Sequence, residues 1–144
     1  MVDRLQRFVD AQADGVFDQA MSELRRGEKR THWMWFVFPQ LAGLGRSETA
    51  RHYAIADLDE ARSYLAHPLL GDRLVAAMEA AAQSPAGADA DRLMGPVDAM
   101  KLRSSATLFE AAGGGSAPAA VLDILFGGRR DGATLSLLGF SHPS

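Results

Sequence analysis

Thr31-His32-Trp33-Met34-Trp35-Phe36-Val37-Phe38-Pro39-Gln40-Leu41 holds both tryptophans of the chain and two of its seven phenylalanines. Its reading decides the fold. The aromatic and β-branched content suits a short buried strand, whereas Thr31 could open a short helix, and periodicity does not separate the two in so brief a run. No other segment offers an alternating strand pattern to pair with it, so the block is predicted to be helical. Pro39 biases Phe38 away from the α region, and a break is expected there. Trp33, Trp35, Phe36 and Phe38 cannot all face water without a large apolar patch. Most of them belong to a core, with at most one tryptophan keeping a free face.

Working upstream, Leu5, Phe8 and Val9 fall on one helical stripe, and Val16, Phe17, Ala20, Met21 and Leu24 repeat it behind Asp14, read as an N-cap. Arg25 and Arg26 followed by Gly27 form a helix end, with cations at the negative pole and glycine available for a left-handed cap. Downstream, Gly43 and Gly45 make a loop and Ser47 caps a short helix through Tyr53. Asp57-Leu58-Asp59-Glu60 has capping-box spacing, and Leu58, Ala61 and Leu65 give the helix its stripe. His67-Pro68 ends it, Pro68 starting the next helix, which carries Leu70, Leu74, Met78 and Ala81 to about Gln83. A short helix over 89–94 ends at Gly95. Pro96 opens a longer one carrying Met100, Leu102, Leu108 and Phe109, stopped by Gly113-Gly114-Gly115. Ser116 caps a helix with Val121, Leu122 and Leu125, closed by Gly127-Gly128, and Thr134–Leu138 is a last short helix before a tail that frays from Gly139. The pattern is that of an all-α domain of about seven to nine short helices.

The 144 residues, 47% hydrophobic and 23% charged, suit one globular domain spanning 1–144 that needs no disulfide or structural metal. With no cysteine, thiolate metal sites and cysteine nucleophiles are excluded. The start shows no uninterrupted apolar h-region, and no apolar stretch reaches membrane-spanning length. A cytoplasmic protein without a membrane partner is expected. The net charge of −3 argues against broad nucleic-acid affinity, which depends on neutralising phosphates. Acidity is concentrated in 53–99, with three Lys/Arg against eight Asp/Glu.

No motif identifies a reaction. His32, His52, His67 and His142 lack zinc spacing, so no metal and no cofactor are expected. His67 is best read as a helix cap and His142 as part of the tail. Gly43-Leu44-Gly45-Arg46-Ser47 could offer backbone N–H groups to an anion, but a tight turn needing positive φ explains it as well. On a helix Lys101 lies over Ser104 and Ser105, and Arg103 over Thr107. A Ser–Lys nucleophilic pair is conceivable, though such serines more often bond back to helix carbonyls. Lys101 and Arg103 together with Arg46 or Arg30 would make an anion site.

The sequence resembles a bacterial family of unknown function whose members are often labelled calpastatin. The resemblance rests on Leu5-Gln6-Arg7-Phe8-Val9-Asp10-Ala11-Gln12, on Lys29 through Leu41, and on Gly43-Leu44-Gly45, Tyr53-Ala54-Ile55, Glu60-Ala61-Arg62-Ser63-Tyr64-Leu65, Leu70-Gly71 and Lys101-Leu102-Arg103-Ser104-Ser105. It covers nearly the whole chain and departs mainly at the Ala/Gly-rich 84–99 and at Gly113–Gly115. It implies a compact helical fold and supplies no activity. The calpastatin label does not fit, because such inhibitors are polar and disordered whereas this chain has the apolar content of a packed domain.

Three functional expectations follow. The first is a small-molecule binding module for an anionic or nucleotide-like ligand, its pocket floored by Trp33 or Trp35 and rimmed by Lys101, Arg103 and Arg46, with His32, Gln40 and Tyr53 converging on it. The second is a small metal-independent hydrolase or transferase, in one variant of nucleotide or ADP-ribose chemistry. There His32 would be the acid or base, and Lys101 and Arg103 would stabilise negative charge. The third is an interaction domain whose aromatic block forms a homo- or hetero-oligomer interface.

Overall fold

The computed structural model describes residues 4–140. Among the described residues there are ten helices and no strand: α1 (Gln6–Ala11), α2 (Val16–Arg26), α3 (Met34–Val37), α4 (Glu48–His52), α5 (Leu58–Ala66), α6 (Leu70–Ala82), α7 (Ala90–Met94), α8 (Pro96–Ala111), α9 (Ser116–Leu125) and α10 (Gly132–Leu137). The fold is all-α. Every segment read as helical forms one, the short α3, α4 and α7 included, so the described count is ten where seven to nine were expected. No described helix is long and apolar enough to cross a membrane.

α6 packs against α2, α5 and α9, and α8 packs against α5, α7, α9 and α10. The buried side chains form one apolar cluster in which Phe8, Trp33, Phe38, Tyr64 and Phe109 are the largest members. The aromatic block is helical, as expected, and Phe38 leaves the helix at φ −124 and ψ 72 ahead of Pro39. Trp33 and Phe38 are core, while Trp35 and Phe36 are half-buried. After the break the chain pairs once, through an isolated parallel bridge between Leu41 and Ile55. Ile55 N–H donates to Gln40 O, and Ala42 N–H to Ile55 O, both at 2.8 Å.

Several helix ends follow the sequence. Gly27 closes α2 in the left-handed region at φ 81, Ser47 accepts from Ala50 N–H, and Asp57 accepts from Glu60 N–H at 2.8 Å. Glu60 reaches back to Ala56 N–H instead of Asp57, a shifted capping box. His67 caps α6, its Nδ1 accepting from Leu69 and Leu70 N–H.

Other ends differ. Asp14 is not the cap of α2. It sits at φ 58 and Gly15 holds the cap position with no side-chain bond, because two consecutive left-handed residues turn α1 into α2. Thr31 does not open α3; its hydroxyl is taken by Glu23. Pro68 lies in the turn before Leu70, outside α6. Ser116 is the first residue of α9, and Gly115 precedes it as cap. On α8, Leu102, Leu108 and Phe109 are buried and Met100 is 71% exposed. Gly139 and Phe140 are still tied to α10, by bonds from their N–H groups to Ser136 O and Leu135 O. The remainder of the expected tail, with His142, lies outside the described residues.

Candidate functional site

Val97, Met100, Lys101 and Ser104 recur at helical spacing on one face of α8. Opposite them stand Gln40, whose backbone is fixed by the Leu41–Ile55 bridge, the Leu44–Gly45 loop, and the start of α10 at Asp131 and Ala133. Together with Arg103 they enclose a groove of about 300 Å³. Gly45 is needed in that loop, because a Cβ there would stand 2.5 Å from the Ala50 Cβ.

The polar edge of the groove is built by the loop between α9 and α10. Arg103 donates from Nε to Arg129 O at 2.9 Å and from a terminal nitrogen to Arg130 O at 2.8 Å. Arg130 is clamped by Glu110 at 2.6 Å and Asp123 at 3.1 Å. Asp131 caps α10, accepting from Thr134 N–H and Oγ1, and also takes the Ser104 hydroxyl at 3.0 Å. The single Ser104 proton is shared between Asp131 and Met100 O one turn back, and Thr107 donates to Arg103 O, the common behaviour of hydroxyls within helices. With Ser104 so occupied, Ser105 fully buried and Lys101 turned to an acid, the segment does not assemble a Ser–Lys nucleophile.

That acid is Asp98. Its carboxylate lies 3.7 Å from Lys101 Nζ and 3.0 Å from Lys29 Nζ. Lys29 stands over the Trp33 ring at 4.9 Å, and Lys101 over the Trp35 ring at 5.3 Å. Two ammonium groups share one carboxylate, so the trio keeps a positive charge beside the groove.

The nominated residues do not all converge. Gln40, Lys101 and Arg103 meet in this groove. Trp33 is 1% exposed, its indole N–H spent on Glu23 at 3.0 Å, so it is absent from the α8 groove and borders instead the cavity that His32 lines, and Trp35 is the tryptophan beside Lys101. His32 is exposed and lines a separate cavity of about 370 Å³ with Asp14 and Gln19. Tyr53 lines a third cavity, of about 760 Å³. Arg46 is exposed on the loop before α4, and its cap position is filled by Ser47. The grouping of His32 with Lys101 and Arg103 that a catalytic reading requires is not formed. Among the described residues no group of three or more His, Asp or Glu side chains is placed to hold a metal.

Glu23 escaped the sequence reading. It is fully buried and accepts from Arg30 N–H at 2.6 Å, Thr31 N–H at 2.8 Å, Thr31 Oγ1 at 2.5 Å, Trp33 Nε1 and Gln19 Nε2. Burial pushes its carboxyl up, but these donors together outweigh it and hold the group down at about 2. The signal was present: Ala20, Glu23, Leu24 and Gly27 lie on one stripe of α2, and an acid there needs partners. Gln12 is a second buried polar junction, donating to Phe36 O at 2.8 Å and the Tyr64 hydroxyl at 3.3 Å while accepting from Arg73.

The ten described helices round one apolar core, with a groove between α8 and the Gln40–Gly45 segment, define an all-α protein carrying a small polar-edged groove. The chain belongs to the family described as protein of unknown function (DUF1810), whose model matches residues 2–138. It is similar to the crystal structure of the conserved hypothetical protein Rv1873 from Mycobacterium tuberculosis, with 46% identity and a TM-score of 0.90 over 95% of this chain and 97% of that one. A comparison with curated proteins gave no match.

Proposed function

We propose that this protein is a binding module for a small anionic ligand with an apolar part, seated in the groove between α8 and the Gln40–Gly45 segment. The observation that carries the reading is the meeting of Gln40, Lys101 and Arg103, distant in sequence, around a groove walled by Leu44, Val97 and Met100. Val97 and Met100 are 66% and 71% exposed, an apolar cost that a bound ligand would recover. Lys101 offers charge because Asp98 is shared with Lys29. Gln40 offers an amide, and Arg103, held by neutral carbonyl oxygens, keeps its positive charge.

Thermal-shift measurement with nucleotides, phosphorylated metabolites and aromatic carboxylates tests the reading on the parent chain beside Lys101→Ala. A ligand that raises the melting temperature of the parent and leaves Lys101→Ala unmoved supports it. Equal shifts in both proteins would place the ligand elsewhere and end this reading.

A further inference from the structure

We infer that the cavity between α1 and α4 is a second site, one that accepts the phosphate of a phosphorylated small molecule of about nucleotide size. Its volume is about 760 Å³, and Arg4, Arg7, Asp10, Arg51, His52 and Tyr53 are on its wall. Three guanidinium groups meet two carboxylates there, Asp10 on the wall and Glu60 behind Arg4 and Arg7, which leaves a local positive excess in a chain whose net charge is −3.

The three arginines divide the work. Arg7 is the fixed floor: only 11% of its side chain is exposed, it lies 4.3 Å over the Phe8 ring, and it donates to His52 O at 2.9 Å, Ala54 O at 2.8 Å and Glu60 at 3.2 Å. Those bonds fasten the end of α4 to α1 and set the cavity's shape. Arg4 stands 4.0 Å from Glu60, a carboxylate already paired with Arg7. Asp10 is engaged by the Gln6 amide at 2.9 Å. Arg51 is exposed, and no described residue bonds or ion-pairs with its guanidinium.

An unspent guanidinium fork matches two phosphate oxygens at once and is worth more to an anion than a lysine at the same place. The neighbouring rings suit a planar substituent. His52 meets Tyr53 edge to face at 4.6 Å, and Tyr53 is braced from behind by Phe8 at 5.9 Å and Phe36 at 5.4 Å. A cavity of this size exceeds what orthophosphate needs and falls in the range of small-ligand sites.

The test is an amide NMR titration of the full chain with AMP, and with adenosine as the phosphate-free control. AMP should shift amides of residues 4–11 and 51–53, and adenosine should not. Arg51→Glu should weaken AMP binding by at least about tenfold, with Arg51→Gln as the milder variant should the charge reversal disturb the fold. Lys101→Ala should leave AMP binding unchanged. Equal binding of adenosine, unchanged affinity in Arg51→Gln or Arg51→Glu, or no shift near α1 and α4 overturns the inference. AMP shifts confined to the α8 groove and lost in Lys101→Ala would overturn it as well, while favouring the function proposed above.

Discussion

Lys101 Nζ lies 5.3 Å from the centre of the Trp35 ring and 3.7 Å from the Asp98 carboxylate. Lys29 makes the corresponding pair with Trp33 and the same aspartate. Each tryptophan of the aromatic block is thus covered by an ammonium group, and one side chain of α8 ties both cations down. The partners differ in exposure: Lys101 keeps 27% of its side-chain surface and Lys29 only 7%.

Lys101→Ala should therefore cost less than about 1 kcal/mol, as partly exposed pairs do, while removing the affinity of the α8 groove for its ligand. Asp98→Ala should cost more, about 1–3 kcal/mol, because it leaves the nearly buried Lys29 without its acid. Urea melts of both variants decide the matter. Equal destabilisation would make Lys101 a structural partner and strip the groove of its main cation.

Glu23 sets a pH limit on the fold. Its carboxyl titrates at about 2 in the folded chain, against an ordinary value of 4.5. A lowered carboxylate binds protons more readily when unfolded, so its stabilisation is complete above pH 4.5 and is lost as pH falls from there through about 2. The loss should amount to about 3 kcal/mol on the scale of 1.36 kcal/mol per pH unit. Glu23→Gln should be less stable at neutral pH and lose that acid dependence between pH 4.5 and 2. Chemical denaturation at pH 6, 4.5, 3.5 and 2.5 would reveal parallel curves for parent and variant if Glu23 were not the group responsible.

The helices were legible because their signals are local: the stripe of α6, the Gly27 and Ser47 caps and Pro96 each act within one or two turns. What the sequence hid are side chains whose partners come from elsewhere in the chain. Glu23 receives the 30–33 segment, Asp98 receives Lys29, and Arg103 reaches Arg129 and Arg130. Of the nominated site residues, Gln40, Lys101 and Arg103 come together, whereas His32 and Tyr53 open onto other cavities. Closeness to the aromatic block in sequence does not fix which way a side chain leaves it. Trp33 and Trp35 differ for that reason, since Trp33 is the cap residue ahead of α3, at φ −131, while Trp35 lies within its single turn.

The tryptophans should accordingly differ in energetic weight. Trp33→Ala empties a buried site and deprives the Glu23 carboxylate of its indole donor, so it should cost about 3–5 kcal/mol. Trp35→Ala removes a half-buried ring and should cost about 1–2 kcal/mol, from its smaller buried apolar area. Trp33→Phe would isolate the indole bond and should cost about 1–3 kcal/mol, because the ring remains while a buried acceptor loses a donor. Equilibrium melts followed by far-UV circular dichroism measure all three. A Trp35→Ala loss as large as that of Trp33→Ala would contradict the burial difference.

Gly71 lets the start of α6 sit against the backbone of α5. A Cβ at this position would stand 2.1 Å from Leu65 O and 2.9 Å from its carbonyl carbon, both backbone atoms. Neither can swing aside as a side chain would, and the turn between the helices is held by Gly71 N–H on His67 O at 3.0 Å and by the His67 imidazole on Leu69 and Leu70. Gly71→Ala must therefore push α6 off α5, at a cost of about 1–3 kcal/mol or more, in the manner of an overpacked core. Gly87 supplies the control: it has φ +69 with nothing within 4 Å, so Gly87→Ala incurs only backbone strain of about 1–2 kcal/mol. The two variants should also differ in where they loosen the chain. Hydrogen exchange should quicken across 64–74 in Gly71→Ala and stay confined to 84–89 in Gly87→Ala. Protection of 64–74 unchanged in Gly71→Ala would mean that the helix contact is more compliant than this backbone approach implies.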